Sequence, residues 1–299
     1  MTEPLVSIIM NCFNGEKYLR DALNSVINQT YQNWEVIFWD NKSNDKSAEI
    51  FKSYRDSRLK YFLADSHTNI LYKARNYALK KTSGEFIAFL DVDDWWQADK
   101  LERQIPLFTN PKTGIVYGNL WRYFEKKKKK EIYRKKIMPT GMILNELLTD
   151  YVIGSPTYVL RKKSLDKLKY FFDDRFHIIG DFDINIRLAA EWNIDCVQDP
   201  VATARIHGKN ESLLNKDKEV EEFKIWYEKL KNDNTFSNNS GFHEIYLKII
   251  YLEVMQSITK GEFNKSLKKI IKYPFCFNKI KLIVALLIPK FLAKKIKNY

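Results

Sequence analysis

Residues 86–96 read Phe86-Ile87-Ala88-Phe89-Leu90-Asp91-Val92-Asp93-Asp94-Trp95-Trp96. Five apolar residues in a row have the length of a buried strand, and the run ends abruptly in three carboxylates. Packing three acids at a strand end costs repulsion and desolvation unless a cation compensates. In an open α/β sheet, ligands bind at the carboxyl ends of the strands. Hard oxygen donors on a short turn suit Mg2+ or Mn2+, above all a metal that also holds a diphosphate. The plainer alternative is a solvated turn followed by a helix that Asp94 or Asp99 caps, near Lys100 and Leu101.

Upstream of this strand the pattern alternates. Leu5–Met10 is a short apolar run, a strand by its length and flanks. Glu16–Asn28 has helical spacing, with Leu19, Leu23, Val26 and Ile27 on one face. Trp34–Trp39 and Leu59–Leu63 read as strands, and Asp45–Tyr54 and Ile70–Lys81 as helices. Strand and helix alternating at this spacing predict a mostly parallel α/β sheet covered on both faces. Right-handed crossovers then align the carboxyl ends of the strands along one edge. After residue 114 the pattern changes. Ile115–Phe124, Glu131–Met138, Thr157–Leu160 and Asp195–Ile206 read as strands, and Met142–Tyr151 and Asp181–Trp192 as helices. From Asn215 the chain reads helical to its end, with a polar break at Asn232–Ser240.

The chain has 299 residues, 45% hydrophobic and 14% aromatic, enough for one large domain with an appendage. Its three cysteines, Cys12, Cys196 and Cys276, are too few and too scattered for a disulfide framework or a zinc site, so a reducing cytoplasm is expected. The start leads directly into a strand pattern, so no signal peptide is expected. No run of 18 or more apolar residues is present, which argues against a membrane-spanning helix. The net charge of +13 is uneven: Lys260–Tyr299 holds eleven Lys and one Glu, leaving +10. A second basic run, Lys126–Lys130, lies between strand-like residues and reads as a solvated hairpin tip. Neither run carries a nucleic-acid motif, so nucleic acid is not expected as a partner.

Other strand ends carry groups that can grip a ligand. The first ends in Asn11-Cys12-Phe13-Asn14-Gly15 and the second in Asp40-Asn41-Lys42-Ser43-Asn44-Asp45. Phe13 can stack on a base, Asp40 or Asn41 can read its edge, Asp91 can accept from a ribose, and Asp93 can hold a metal. Turn and cap chemistry is the competing reading for Asp40–Asp45, and is the one expected for Ser43 and Asp45. Arg75 lies on the helix before the fourth strand and is expected to face the crevice, the alternative being a solvated residue or one paired with a surface acid. Farther on, Gly180-Asp181-Phe182-Asp183 opens a helix. Gly180 permits an unusual backbone angle, and Asp181 can act as general base toward an acceptor hydroxyl. His207, next to Gly208 after the last strand, can complete a metal site or be a surface histidine.

Taken together, these pieces resemble a family 2 glycosyltransferase with the GT-A fold. The resemblance rests on Val6–Asn14 with Gly15-Glu16-Lys17-Tyr18-Leu19, Gln29-Thr30-Tyr31, Asp40–Asp45, Ala74-Arg75-Asn76, Gly84–Asp94, Lys100-Leu101-Glu102 and Gly180–Asp183. It covers about residues 4–212, and the order and spacing of the pieces are specific. It implies an inverting, metal-dependent transfer of a sugar from a nucleotide-sugar, a UDP-sugar favoured, to an acceptor hydroxyl. By position, Asn11, Phe13, Asp40, Asn41, Arg75, Asp91 and Val92 match the donor-nucleotide set. Asp93, with Asp91 and His207, matches the set for Mn2+ or Mg2+, and Asp181 matches the general base. Asp94, Trp95 and Asp183 stand on the acceptor side. Two positions depart from the family pattern. Asn41 replaces the second of two acids, presenting both donor and acceptor to a base, and Gly180 replaces a frequent Glu.

The expected domains are a GT-A catalytic domain, 1–214, and a basic helical extension, 215–299. Within the first, 1–110 is the nucleotide-sugar half and 111–214 the acceptor half. Within the extension, Leu282–Ile288 is too short to span a bilayer and is flanked by Lys, like an interfacial segment. A glycan or lipid-linked acceptor at the inner face of a bacterial membrane fits an anionic surface partner there. A helix packed on the catalytic domain or in a homo-oligomer interface is the alternative. Two other functions compete with sugar transfer. A nucleotidyltransferase also uses acids on an α/β sheet but needs a Gly-rich basic loop, which Asn11–Gly15 is not. A non-catalytic membrane adaptor would have no use for Asp91, Asp93 and Asp181.

Overall fold

The computed structural model describes residues 3–290, 292 and 293, and divides the chain into two compact units, Met1–Leu214 and Asn215–Tyr299. The part of the basic tail at residues 291 and 294–299 lies outside the described residues.

The first unit holds nine strands: β1 Val6–Cys12, β2 Trp34–Asp40, β3 Leu59–Leu63, β4 Phe86–Phe89, β5 Trp95–Trp96, β6 Thr113–Phe124, β7 Lys129–Ile132, β8 Val159–Arg161 and β9 Asn193–Ile206. Its helices are α1 Leu19–Ile27, α2 Ser47–Ser53, α3 Leu71–Leu79, α4 Lys100–Gln104, α5 Leu144–Thr149, α6 Lys162–Leu165, α7 Gly180–Ala189 and α8 Glu211–Leu214. The strands form one mixed sheet in the order β3-β2-β1-β4-β8-β6-β9-β5, with β7 beside β6. β3, β2, β1 and β4 pair in parallel, as the strand–helix alternation predicts. β8 then pairs antiparallel with both β4 and β6, while β6 and β9 run parallel. β1, β2 and β4 are buried nearly throughout, the signature of parallel strands covered by helices. Leu19, Ala22, Leu23 and Val26 of α1 face the same core as Ile8, Val36, Phe38 and Ala88.

Differences from the sequence expectation are local. The strand expected over Glu131–Met138 stops at Ile132 because a side chain takes over from the ladder. The Asn119 amide donates to the Arg134 carbonyl and accepts from the Arg134 N–H, at 2.8 and 3.1 Å. Lys128 adopts a left-handed conformation at the tip of the β6–β7 hairpin, within the lysine run read as a tip. Trp95-Trp96 forms a short strand on β9, with Trp95 opposite Thr203, where the sequence suggests only a turn before α4.

The second unit is helical: α9 Lys216–Leu230, α10 Asn234–Ser237, α11 Ser240–Lys260, α12 Phe263–Lys272 and α13 Phe277–Leu287. The polar break holds α10, capped by Asp233, whose side chain accepts from Thr235 N. Gly261 ends α11 at φ +84°, a conformation that favours glycine, and lets the chain fold back into α12. Tyr251, Val254, Met255, Ile270, Tyr273, Leu282 and Ala285 form this unit's core.

Candidate active site

The loops after β1 and β2 are stitched to each other by local polar chemistry. Asn14 N–H donates to Ser43 Oγ at 3.1 Å, Asn44 N–H to Asn14 Oδ1 at 2.9 Å, and Gly15 N–H to Ser47 Oγ at 2.9 Å. Asp45 accepts from Glu16 and Ser47 N–H, the turn role expected of it. Gly15 is required by space: a Cβ there would lie 2.8 Å from Val92 Cγ2, so the Val92 side chain packs against the β1 loop.

At the centre of the site one guanidinium joins two carboxylates. Arg75, on α3 and fully buried, donates from one terminal nitrogen to Asp181 Oδ1 and from the other to Asp91 Oδ1, both at 2.7 Å. The second nitrogen also reaches Ser155 Oγ at 3.3 Å. Burial alone would make Arg75 easier to deprotonate, but Asp181 and Asp91 outweigh it and hold the guanidinium firmly charged. Tyr158 OH adds a 2.6 Å bond to the same Asp181 Oδ1. Among the described residues, Asp181 Oδ2 takes no hydrogen bond from the protein, so one oxygen is anchored and the other is open. Tyr151 OH donates to the Asp181 carbonyl at 3.2 Å and accepts from the Asn185 amide at 2.9 Å.

The three acids after β4 take separate positions. Asp93 Oδ2 lies 2.9 Å from His207 Nε2. Burial, and then the Asp91 charge, push the Asp93 carboxyl above its ordinary range. Asp94 is buried and accepts from the Arg205 N–H at 2.8 Å. Arg205 in turn donates from Nε to the Asp93 carbonyl at 3.0 Å and pairs with Asp21 at 2.6 Å. Its guanidinium sits 4.4 Å from the Tyr18 ring centre and 4.7 Å from that of Trp95. The Asp91–Asp94 turn is therefore held from behind by an arginine enclosed in aromatic rings.

Among the described residues no group of three or more His, Cys, Asp and Glu side chains is gathered closely enough to enclose a metal. The site instead offers the touching Asp93–His207 pair and Asp91, whose Oδ2 has no protein partner among the described residues. Carboxylate oxygens beside one imidazole nitrogen suit Mn2+ or Mg2+, with the other coordination positions left to non-protein oxygens. This set of carboxylate oxygens and one imidazole nitrogen fits a divalent cation.

On the donor side, Asn11 is the outstanding residue. Its side-chain amide is buried and neither its nitrogen nor its oxygen has a hydrogen-bond partner among the described residues. Native structures rarely leave both ends of a buried amide unpaired, which sets Asn11 apart from the rest of β1. Phe13 is 51% exposed, and its ring lies 4.3 Å from that of His67. Asp40 and Asn41 are engaged within the protein. Asp40 accepts from Ser43 N–H at 2.7 Å and from Tyr61 OH at 2.6 Å. The Asn41 amide donates to the Thr68 carbonyl at 2.7 Å and accepts from the Thr68 N–H at 3.1 Å. These bonds tie Asp40 to its own loop and to β3, and Asn41 to the loop at 64–70.

One expectation is corrected, and three residues expected on the acceptor side are engaged within the protein. Asp94 is fastened to β9 as described, and Asp183 is fully buried in a 2.7 Å ion pair with Arg187. Trp95 leans on the Arg205 guanidinium and on the Tyr123 ring. Gly180 has no left-handed angle, and its reason is space: a Cβ would stand 2.4 Å from the Tyr72 ring. Sequence reading also missed Tyr158, Tyr151, His67 and Arg205. Only Arg205 leaves a signal, being a charge inside the otherwise uncharged run Val201–Ile206.

A nucleotide-binding parallel half, a mixed second half and a carboxylate turn at the switch between them define the GT-A class of glycosyltransferases. The glycosyl transferase family 2 model matches residues 7–169, and the chain belongs to this family. It is 38% identical over 172 residues to the Escherichia coli UDP-Glc:α-D-GlcNAc-diphosphoundecaprenol β-1,3-glucosyltransferase WfgD, a match covering 58% of this chain and 66% of that one. The fold is similar to that of S. aureus TarS 1–349 in complex with UDP-GlcNAc, with TM-score 0.67, 18% identity, and 97% and 87% of the two chains covered. It is also similar to the Pyrobaculum calidifontis mannosyltransferase PcManGT in complex with GDP-Man and Mn2+, with TM-score 0.65, 14% identity, and 99% and 84% covered. Among the described residues no helix is long and apolar enough to cross a membrane.

Proposed function

We propose that this chain transfers a hexose or N-acetylhexosamine from a UDP-sugar to a hydroxyl of a lipid-linked glycan, with inversion and with a bound Mn2+ or Mg2+. The observation that carries the reading is the Arg75 bridge. One buried guanidinium sets a donor-side carboxylate, Asp91, and a carboxylate with one open oxygen, Asp181, at a fixed separation. In this reading the diphosphate lies at the Asp91–Asp93 edge and the base at Asn11 and Phe13. Asp93, Asp91 and His207 would hold the cation, which when bound neutralises charge developing on the departing nucleoside diphosphate. Asp181 Oδ2 takes the proton of the acceptor hydroxyl as that oxygen attacks the anomeric carbon from the face opposite the diphosphate. Arg75 and Tyr158 keep Asp181 oriented, and Arg75 stays charged throughout. A single displacement needs no covalent enzyme intermediate. WfgD's acceptor and donor, and the UDP-GlcNAc bound by TarS, support the substrate class. A lipid-borne acceptor places the enzyme at the inner face of the cytoplasmic membrane.

Sugar release from a panel of radiolabelled nucleotide-sugars, with and without a diphospholipid acceptor, tests the proposal. Asp181→Asn should lower transfer by roughly 10²–10⁴-fold, the usual range for general-base help, while donor binding stays within about twofold. Transfer retained in that variant would remove Asp181 from the base role. Asp93→Ala should abolish the Mn2+-dependent part of UDP binding in calorimetry. Equal affinity with and without Mn2+ in the parent chain would overturn the metal assignment.

A further inference from the structure

Ten of the nineteen exposed large apolar side chains among the described residues lie between Phe263 and Leu292. On α13, every position that is exposed is apolar: Phe277, Ile280, Ile283, Val284 and Leu287. At 100° per residue these five fall within one arc of about 120°. The opposite side of the same helix, Leu282 and Ala285, already lies in the unit's core, and the outward face is exposed among the described residues. α12 repeats the arrangement. Phe263, Leu267 and Ile271 form an exposed stripe at i, i+4 and i+8, flanking the buried Ser266 and Ile270. The segment between the two helices adds Phe275, which is 85% exposed. Lys279 holds the two helices together by donating to the Ile271 and Tyr273 carbonyls, at 3.1 and 2.7 Å. The stripe is thus part of the fold of this unit and not a frayed end.

Charge selects what covers it. Lys265, Lys268, Lys269 and Lys272 occupy the side of α12 away from the apolar stripe. Lys268, Lys272, Lys281 and Lys290 have no acidic partner among the described residues. A symmetric pairing of two copies through this face would bring these four uncompensated lysines of one copy toward those of the other. An anionic bilayer complements both features, taking the aromatic and aliphatic side chains at its acyl boundary and the lysines at its headgroups.

We infer that α12, α13 and the Phe275 segment form a bilayer-docking surface that seats the second unit on anionic lipid. This moves the membrane contact upstream of the tail lysines, and includes α12, which the sequence pattern of the tail does not mark. It extends the reading of a lipid-borne acceptor given above, and is tested without any transfer reaction.

The full chain is mixed with sedimentable vesicles of phosphatidylcholine alone or containing phosphatidylglycerol. Partition onto the anionic vesicles should exceed that onto the neutral ones by at least about tenfold and fall as salt is raised. The variant I271S/F275S/I280S/V284S should lose at least about tenfold in partition while keeping its donor affinity. Because four changes can disturb α13, Phe275→Ser alone is the second variant. It lies outside both helices and should lose a measurable part of the partition with an unchanged Tm. Absence of binding by the parent chain, or unaltered partition of both variants, would overturn the inference. So would a stable dimer that the quadruple variant converts to monomer. In each of those outcomes the transfer chemistry proposed above stands or falls separately, since donor turnover is measured on its own.

Discussion

Both ends of the buried Asn11 side-chain amide lack a hydrogen-bond partner among the described residues. A buried amide with both ends unpaired costs the protein about 1–3 kcal/mol per unsatisfied group. Apart from Ser7 at its far end, the rest of β1 is apolar and buried, so Leu at this position would suit the fold better than Asn. Asn11→Leu is therefore expected to raise or leave unchanged the Tm, and to weaken donor-nucleotide binding by about 10-fold in calorimetry. Loss of stability together with unchanged binding would make Asn11 a structural residue. Asp91, Arg75 and Asp181 are each legible in the sequence, because an acid or a base at the edge of an apolar element has little other reason to be there. Their contact is not legible: Arg75 and Asp181 are 106 positions apart, and only packing decides that one guanidinium serves both acids. Asp94 and Asp183 are the converse case. They look as available in sequence as their neighbours, yet a main-chain donor takes one and a buried arginine the other.

At the scale of elements, the site depends on where α7 begins. Gly180 is its first residue and lies against the face of Tyr72 on α3, the helix that also carries Arg75. The two helices approach so closely that the Asp181 carboxylate reaches the Arg75 guanidinium directly. Gly180→Ala would force a Cβ to 2.4 Å from the Tyr72 ring, so one helix must move. The expected cost is about 1–3 kcal/mol, with kcat falling more than donor affinity, because the displaced group is Asp181 and not the nucleotide loops. Thermal unfolding and steady-state kinetics measure both, and a compensating Tyr72→Leu should recover part of each. An unchanged kcat would show that α7 tolerates the shift. The family's frequent Glu at this position has no room here for the same reason. From sequence, a glycine at a helix start suggests a special angle; the closeness of a ring from another helix becomes visible only in three dimensions.

At the scale of the whole molecule, the sheet is fastened at the end opposite the site. Glu35, at the start of β2, accepts from Ser7 Oγ at 2.5 Å and from Ser83 N–H at 2.8 Å, and pairs with Lys60 at 2.5 Å. β1, β2, β3 and the lead-in to β4 are thereby joined through one carboxylate. Burial alone would raise its proton affinity, but Lys60, Ser7 and Ser83 outweigh burial and hold it at about 2, against an ordinary value of 4.5. A depressed carboxylate contributes stability above its unfolded pKa and loses it as pH falls toward the folded one. The contribution is therefore fully present above pH 4.5 and disappears between there and about pH 2. A lowering of this size corresponds to about 3–4 kcal/mol, less whatever solvent screens at the half-exposed Lys60 end. Glu35→Gln should lower the unfolding free energy by roughly that amount at neutral pH, with the gap closing as the pH is lowered through this window. Urea titrations at several pH values check it, and turnover at neutral pH should stay unchanged. A pH-independent difference would mean that the clasp acts by packing and not by charge.

Periodicity and the residues at strand ends determined, from sequence alone, the parallel half of the sheet, the edge where acids gather, the family resemblance and the basic character of the tail. These follow from local chemistry: an apolar run must be buried, and a carboxylate at its end needs a partner. Only the tertiary structure decided which acids remain open. It engaged Asp94, Asp183, Asp40 and Asn41 with other parts of the protein, joined Asp91 to Asp181 through Arg75, left the Asn11 amide without a partner among the described residues, and turned one face of α13 outward. Each of these outcomes depends on contacts between segments far apart in the chain, and on how closely two surfaces can approach, which no stretch of sequence carries by itself.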